Sequence, residues 1–230
     1  VAAMGLGGAR TGAPGGNPHP LLREQPPLDQ HRFRQTQTAL TAYWLARDGF
    51  SLAYQTPVAG PPWSIPFEFP LYQYLVALTS QASGMSLDAC GRLVSFLFLV
   101  LCLAPARSIT RNLGLSSNTF PIFTALLMSS PLYLYWGRTF MIETAALFFA
   151  IVGIKYFIDL LQGRRTGVSA ALFVLFISFG ILQKATTGLP VLAVLGFVYL
   201  GVLIREWRAG GNVFPVRKTA LALLLFGIPL

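Results

Sequence analysis

From residue 87 onward the chain alternates apolar blocks with short polar loops. The blocks are residues 87–106, 119–135, 140–161, 168–182 and 189–204, followed by an apolar run at 219–230. A helix crosses a bilayer with about 17 to 25 apolar residues, and the fourth and fifth blocks are slightly shorter than this. The pattern predicts an all-α fold, a polytopic transmembrane helical bundle.

A more polar pattern precedes these blocks. Residues 35–47 (QTQTALTAYWLAR) place Ala39, Leu40, Tyr43 and Trp44 at helical spacing, which predicts a short amphipathic helix lying on the membrane. Residues 47–70 contain five prolines and five aromatic side chains, so we expect an irregular but ordered loop of the kind that carries function. Residues 71–83 predict a second short helix that ends before Gly84.

These patterns predict three regions. Residues 1–20 contain six glycines and three prolines without a signal-peptide pattern, and we expect them to be disordered. Residues 21–86 form an extracytoplasmic loop with interfacial helices, and residues 87–230 form transmembrane helices. Because the chain begins at Val1 and stops inside an apolar run, we expect it to be a fragment, truncated at the C-terminus.

The composition excludes several classes of protein. Hydrophobic residues make up 54% of the chain and charged residues 11%, with a mean hydropathy of +0.59. Disordered chains, coiled coils and secreted disulfide scaffolds do not carry this much apolar surface. Cys90 and Cys102 fall on one predicted helix, about 18 Å apart along its axis, so we expect them not to pair.

Basic residues predict the orientation in the membrane. One set of alternate loops contains Arg107, Arg111, Arg164, Arg165, Arg205, Arg208, Arg217 and Lys218. The opposite set contains only Arg92, Arg138 and Lys184. Because cytoplasmic loops are enriched in Lys and Arg, residues 1–86 and the loops near 138 and 184 are predicted to lie outside the cytoplasm. A membrane accounts for the net charge of +9, and no nucleic-acid partner is predicted.

Three charged segments converge on the predicted outer face. They are residues 29–32 (DQHR), 67–70 (FEFP) and 138–143 (RTFMIE). Glu143 falls in the first turn of a predicted span, where a carboxylate is costly and usually functional. This face is therefore the candidate site.

Simpler roles for these residues stay open. Asp29 is also suited to cap the helix that follows, or to pair with Arg32. Glu68 also suits a solvated loop, and Arg138 and Lys184 also suit interfacial anchors.

The charged segments together resemble the integral-membrane glycosyltransferases of the GT-C fold. The resemblance rests on the order and spacing of residues 29–39 (DQHRFRQTQTA), 68–70 (EFP), 91–95 (GRLVS) and 138–143 (RTFMIE). The segments are similar to those of the branch that contains dolichyl-phosphate-mannose protein mannosyltransferases and lipid A aminoarabinose transferases. The resemblance extends over about residues 25–205. The resemblance implies transfer of a sugar from a polyprenyl-phosphate donor to an acceptor hydroxyl of a lipid, glycan or protein, with inversion.

The resemblance also implies site residues. Its catalytic residues are Asp29, Glu68 and Glu143, with Asp29 as the base. The resemblance implies that Arg32 and Lys184 bind the lipid phosphate. Arg138 is a further candidate for this role because it is a cation at the predicted interface. Many members have two successive acids where this chain has Asp29 and Gln30, which weakens the implied option of a divalent metal. With only two histidines, a histidine-built metal site is not predicted.

Two other classes of function compete with an enzyme. A transporter or flippase usually binds its substrate near the bilayer midplane and contains internal repeats, whereas here charge gathers at one face. A structural subunit of a membrane complex would use the same charges as contacts. Spans rich in Ala, Leu and Gly favour a bacterial plasma membrane over the endoplasmic reticulum. We therefore expect a multi-pass enzyme of cell-envelope glycosylation whose active site faces the periplasm or exterior.

Overall fold

The computed structural model describes residues 32–56, 68–210 and 224–229, and the regular structure in these ranges is helical. The helices are α1 (Arg32–Asp48), α2 (Leu71–Ser83), α3 (Leu87–Leu101), α4 (Leu103–Asn112), α5 (Thr119–Ser129), α6 (Pro131–Gly137), α7 (Glu143–Leu161), α8 (Thr166–Gln183) and α9 (Ala185–Gly210). The prediction of an all-α polytopic bundle is confirmed. Cys90 and Cys102 are free, as expected.

Four helical segments of the described chain are long and apolar enough to cross a membrane. They are Leu87–Asn112, which combines α3 and α4, then Glu143–Leu161, Thr166–Gln183 and Ala185–Ala209. The fourth and fifth apolar blocks are longer as helices than predicted, because α8 and α9 begin with polar or small residues and α9 continues through the partly charged residues 205–210, and none of these stretches carries a continuous apolar signal. The chain is therefore a multi-pass membrane protein by architecture.

The predicted block 119–135 is not one helix. Ser130 is extended (ψ 119°) between α5 and α6, because the residue before Pro131 is sterically biased away from helical geometry. The two short helices together connect the end of α4 to the start of α7. The bundle has two opposite ends. We call the end where α4 and α7 finish, at Asn112 and Leu161, the basic end, and the end where α7 starts the Glu143 end.

A buried, irregular segment of residues 139–142 leads into α7, where the sequence predicts a helix from residue 140. The Phe140 ring lies directly on Gly91, since a Cβ at residue 91 would be 2.4 Å from the ring. Arg92 Nη1 donates to the Arg138 carbonyl (3.0 Å) and Ser95 Oγ donates to the Met141 carbonyl (3.0 Å). Irregular backbone is tolerated at membrane depth only when its polar groups are satisfied by protein in this way.

A hydroxyl network joins α2 to this segment. The buried Tyr72 hydroxyl donates to the Gly91 carbonyl (2.8 Å) and lies 2.7 Å from Ser95 Oγ. Burial raises the pKa of Tyr72 well above its usual value, so the phenol keeps its proton and remains a donor. Since Ser95 in turn bonds Met141, the network fixes the backbone immediately before Glu143.

Helix α7 lies at the centre of the bundle and packs closely against α8. The two backbones lie close together at Gly180, where a Cβ would be in ordinary van der Waals contact with the Ala150 backbone nitrogen (3.5 Å). At the basic end, Asn112 Nδ2 donates to Asp159 Oδ1 (2.7 Å), which ties α4 to α7.

Candidate functional site

The candidate site is a cluster of charged residues contributed by four separate parts of the chain. Glu143 begins α7, Lys184 separates α8 from α9, Arg34 lies in the first turn of α1, and Glu68 precedes α2. Up to 150 positions of sequence separate these residues, so only the fold brings them together.

Glu143 is the centre of the cluster. Its side chain is 4% exposed, and its Oε1 accepts a hydrogen bond from Lys184 Nζ. Arg34 Nη1 lies 3.7 Å from the same oxygen. A carboxylate buried at the end of an apolar helix requires such counter-charges, because its desolvation is otherwise uncompensated.

Lys184 is held by the tight reversal between α8 and α9. Its backbone is extended (φ −156°, ψ 101°), and its amide donates to the Gly180 carbonyl at 3.0 Å. The reversal requires Gly188, whose Cβ would be 2.5 Å from the backbone nitrogen of Ile181. The ammonium also lies 5.8 Å from the Trp136 ring centroid, a cation–π distance.

Arg34 contacts the cluster because α1 packs on the bundle with the face next to Arg34. The buried residues of that face are Gln35, Thr38, Thr41, Ala42 and Leu45. The predicted apolar face is not the buried one: Tyr43 on that face is 47% exposed. The helix is confirmed, and the face that packs on protein combines the polar Gln35, Thr38 and Thr41 with the apolar Ala42 and Leu45.

Glu68 is held beside the cluster by two contacts. The Tyr54 hydroxyl donates to the Glu68 carbonyl (2.9 Å), and Gln73 Nε2 donates to Glu68 Oε2 (3.0 Å). Burial and the neighbouring Glu143 charge raise the pKa of Glu68 to about 7, against the opposing effects of Arg34, Lys184 and the Gln73 hydrogen bond. The Glu68 carboxyl is therefore close to half protonated near neutral pH.

On α2, α7 and α8, three buried side-chain carbonyl or carboxylate oxygens near these charges have no hydrogen-bond partner among the described residues. They are Glu143 Oε2, Gln73 Oε1 and Gln183 Oε1. The amides of both glutamines are already used, since Gln73 Nε2 bonds Glu68 and Gln183 Nε2 bonds the Phe69 carbonyl (2.7 Å). Buried polar atoms are rarely left unsatisfied, so these oxygens are suited to accept hydrogen bonds from a ligand or from a further part of the chain.

The structure brings together some of the site residues predicted from sequence. Glu68, Glu143 and Lys184 meet in the cluster. Arg138 has an exposed side chain, and within the described chain it is not among the cations in ion-pair contact with Glu143. Asp29 lies outside the described residues, as does the side chain of Arg32, whose backbone begins α1.

Several residues of the site were missed by the sequence analysis. Arg34 supplies a cation of the cluster that we did not single out, and the helical spacing of Arg34, Thr38 and Thr41 was the available signal. Gln73 and Gln183 gave no signal, because a neutral amide in an apolar segment is ordinary in sequence.

The described residues do not form a metal site. In residues 32–56, 68–210 and 224–229, no three side chains of His, Cys, Asp or Glu group closely enough to hold an ion. Glu143 Oε1 is moreover occupied by two cationic side chains. The described part of the chain therefore does not fit the divalent metal that the family resemblance allows.

Comparison with known proteins finds no matching family model, no matching curated protein and no matching solved structure.

Proposed function

We propose that the chain is the part of an integral-membrane glycosyltransferase that binds a polyprenyl-phosphate sugar and transfers the sugar to an acceptor hydroxyl. The observation that carries the proposal is the composition of the cluster around Glu143. It offers cations for a phosphate and buried acceptor oxygens for hydroxyl groups, which are the two kinds of group that such a donor presents.

The charge balance of the cluster suits a phosphate. Lys184 and Arg34 bring two positive charges against Glu143 and a Glu68 carboxyl whose pKa is about 7. Near neutral pH the net charge therefore lies between zero and one positive. Positive charge is required at this position because negative charge grows on the departing phosphate in the transition state.

The unsatisfied oxygens suit a sugar. Glu143 Oε2, Gln73 Oε1 and Gln183 Oε1 accept hydrogen bonds, so a complementary ligand must supply donors. Sugar hydroxyls are such donors. An apolar or purely anionic ligand would leave these buried oxygens unpaired, at a cost in affinity.

The proposed reaction is a single displacement. The acceptor oxygen forms a bond to the anomeric carbon while the bond from that carbon to the phosphate oxygen breaks. The acceptor proton passes to a carboxylate, and polyprenyl phosphate leaves with the bonding electron pair, stabilised by Lys184 and Arg34. Asp29, five residues before Arg34 in the sequence, remains the proposed base, and Arg32 and Arg138 remain proposed phosphate partners.

The distribution of charge along the spans favours an enzyme over a transporter. Within the four described spans, residues 93–106, 144–154, 166–183 and 187–204 contain no charged side chain. A transporter would place its substrate site near the midplane, often at broken helices. Here the charged cluster lies where a span begins, as expected for chemistry at a membrane face.

We further propose that the Glu143 end faces the periplasm or exterior of a bacterial plasma membrane. The end of α4 and the α7–α8 turn contain Arg107, Arg111, Arg164 and Arg165 at the opposite end, which the positive-inside rule places in the cytoplasm. With Cys90 and Cys102 replaced by serine, Ala82→Cys should react with a membrane-impermeant thiol reagent in intact cells, and Ser117→Cys should not. The reverse pattern would invert this orientation.

Binding of polyprenyl phosphate tests the proposed site. The purified full-length protein in nanodiscs should bind undecaprenyl phosphate, and Arg34→Gln and Lys184→Gln should each weaken binding about ten-fold, the effect of losing one charge-assisted hydrogen bond. Arg47→Gln is the matched control, because Arg47 lies on the same helix as Arg34 but is exposed and lies 5.7 Å from the Trp44 ring centroid instead of contacting Glu143. Equal losses in all three variants, or no binding by the wild type, would refute the proposed site.

A further inference from the structure

A second charged region lies at the basic end, outside the proposed active site. A cavity of about 730 Å³ opens there between the end of α4, the second half of α7 and the beginning of α8. Its charged lining residues are Arg111, Lys155, Asp159, Arg164 and Arg165. Four cations therefore share one cavity with a single carboxylate.

That carboxylate is already satisfied. Asp159 Oδ2 lies 2.7 Å from Lys155 Nζ, and Asp159 Oδ1 accepts from Asn112 Nδ2 at 2.7 Å. The Lys155 ammonium also lies 3.7 Å from the Tyr156 ring centroid. Lys155 and Asp159 thus neutralise each other, and the net charge of the cavity comes from the three arginines.

The three arginines are available for a ligand. Arg111, Arg164 and Arg165 are exposed, and none forms an ion pair within the described chain. The guanidinium group has a planar set of donors that matches phosphate in a bidentate manner, and its charge persists at physiological pH. The cavity is therefore suited to a phosphate-bearing anion.

The turn that carries two of these arginines has a fixed shape. The Arg164 amide donates to the Asp159 carbonyl (2.9 Å), and the Arg164 carbonyl accepts from Ser169 Oγ (2.7 Å). Arg165 has a left-handed backbone (φ 43°), a conformation that favours Gly or Asn. Because the turn is braced on both sides, binding at these arginines adds no cost of ordering the backbone.

An apolar stripe extends from this cavity along α8. Val168 lines the cavity and is 56% exposed, and Leu175 and Leu182, at intervals of seven residues on the same face, are 46% and 50% exposed. On a membrane-spanning helix this stripe is suited to an acyl chain, which would place the lipid's phosphate among the arginines. Basic pockets between helices at a membrane face recognise anionic headgroups in this manner.

We propose that the basic-end cavity binds the phosphate of an anionic lipid headgroup, with an acyl chain along the α8 stripe. This site is separate from the cluster around Glu143 and is independent of the proposed function.

The test compares two double variants that each remove two positive charges from the basic end. The variant Arg164→Gln/Arg165→Asn removes two charges that line the cavity, and Asn tolerates the left-handed backbone at residue 165. In the control Arg205→Gln/Arg208→Gln the two charges come from exposed positions of α9 that do not line this cavity. Each purified full chain is titrated in detergent with phosphatidylglycerol, phosphatidylcholine or inorganic phosphate, and bound species are counted by native mass spectrometry.

We expect the wild type and the α9 control to bind phosphatidylglycerol more tightly than phosphatidylcholine. The cavity variant should lose about 25-fold in affinity for phosphatidylglycerol, since each basic residue at an anionic surface contributes about five-fold. Arginine-dependent binding of inorganic phosphate without a preference for phosphatidylglycerol would support a phosphate site but assign it to a soluble ligand, overturning the lipid. Equal losses in both double variants, or no loss in the cavity variant, would overturn the site itself.

Discussion

The contact between Glu143 and Lys184 should have a coupling free energy far larger than that of an exposed ion pair. At an effective dielectric constant near 20, a contacting pair gains about 4 kcal/mol of Coulomb energy. Ordering the Lys184 side chain, which is only 17% exposed, costs about 2 kcal/mol of that gain. A coupling of about 2 kcal/mol therefore remains.

A double-mutant cycle measures this coupling. Glu143→Gln, Lys184→Gln and the double variant are unfolded by dodecyl sulfate in mixed micelles, and the free energies of unfolding are compared with the wild type. The matched cycle uses Asp88 and Arg92, an i,i+4 pair with side chains 32% and 28% exposed, for which we expect about 0.5 kcal/mol. If the Glu143 cycle gives no more than the Asp88 cycle, the account of a buried, counter-charged carboxylate is wrong.

Three further predictions concern the surroundings of the site, each measured as a free energy of unfolding. Tyr72→Phe should cost about 1 to 2 kcal/mol, because it removes the hydroxyl that donates to the buried Gly91 carbonyl and contacts the buried Ser95 hydroxyl; Tyr74→Phe, as the control, should cost less, and equal costs would refute the network. Gly91→Ala should cost about 1 to 3 kcal/mol by overpacking, whereas Gly201→Ala, with open space around it, should be neutral or stabilising. Since the pKa of Glu68 in the folded protein, about 7, exceeds the ordinary 4.5, its neutral form stabilises the fold at low pH and this stability is lost as pH rises through 7. Glu68→Gln should therefore gain stability relative to the wild type between about pH 5 and pH 8, and parallel pH profiles would contradict the raised pKa.

The spans could be predicted from sequence because hydropathy and length report directly on the cost of exposing polar groups to lipid. The bounds of α2 were also predictable, since Gly84 adopts the left-handed conformation (φ 70°) that ends a helix. The break at Ser130 and the late start of α7 were missed. Both lie in apolar sequence, where hydropathy does not distinguish a helix from buried irregular backbone.

The buried face of α1 could not be predicted from amphipathicity. In a soluble protein the apolar face of a helix packs inward, but beside a membrane the apolar side chains can face lipid while polar ones meet the protein. Gln35 and Thr38 are buried for this reason, and Tyr43 is exposed. The rotation of α1 also decides that Arg34 reaches Glu143, and that rotation depends on packing with distant helices.

Some of the charged residues of the site could be predicted from the sequence, whereas its neutral residues could not. Glu143 and Lys184 stood out because ionised groups are rare at membrane depth. Gln73 and Gln183 emerge only from the three-dimensional arrangement, in which their amides are used and their carbonyl oxygens are not.

Donor turnover tests the proposed function most directly. Full-length protein in proteoliposomes is given a set of undecaprenyl-phosphate hexoses, and release of undecaprenyl phosphate is measured for the wild type, Asp29→Asn, Glu68→Gln and Glu143→Gln. We predict that Asp29→Asn still binds undecaprenyl phosphate but turns over about 10² to 10⁴ times more slowly, the usual effect of losing a general base. Near-wild-type turnover in Asp29→Asn alone would shift the role of base to Glu68 or Glu143. Near-wild-type turnover in all three variants would contradict a glycosyltransferase site at this end of the bundle.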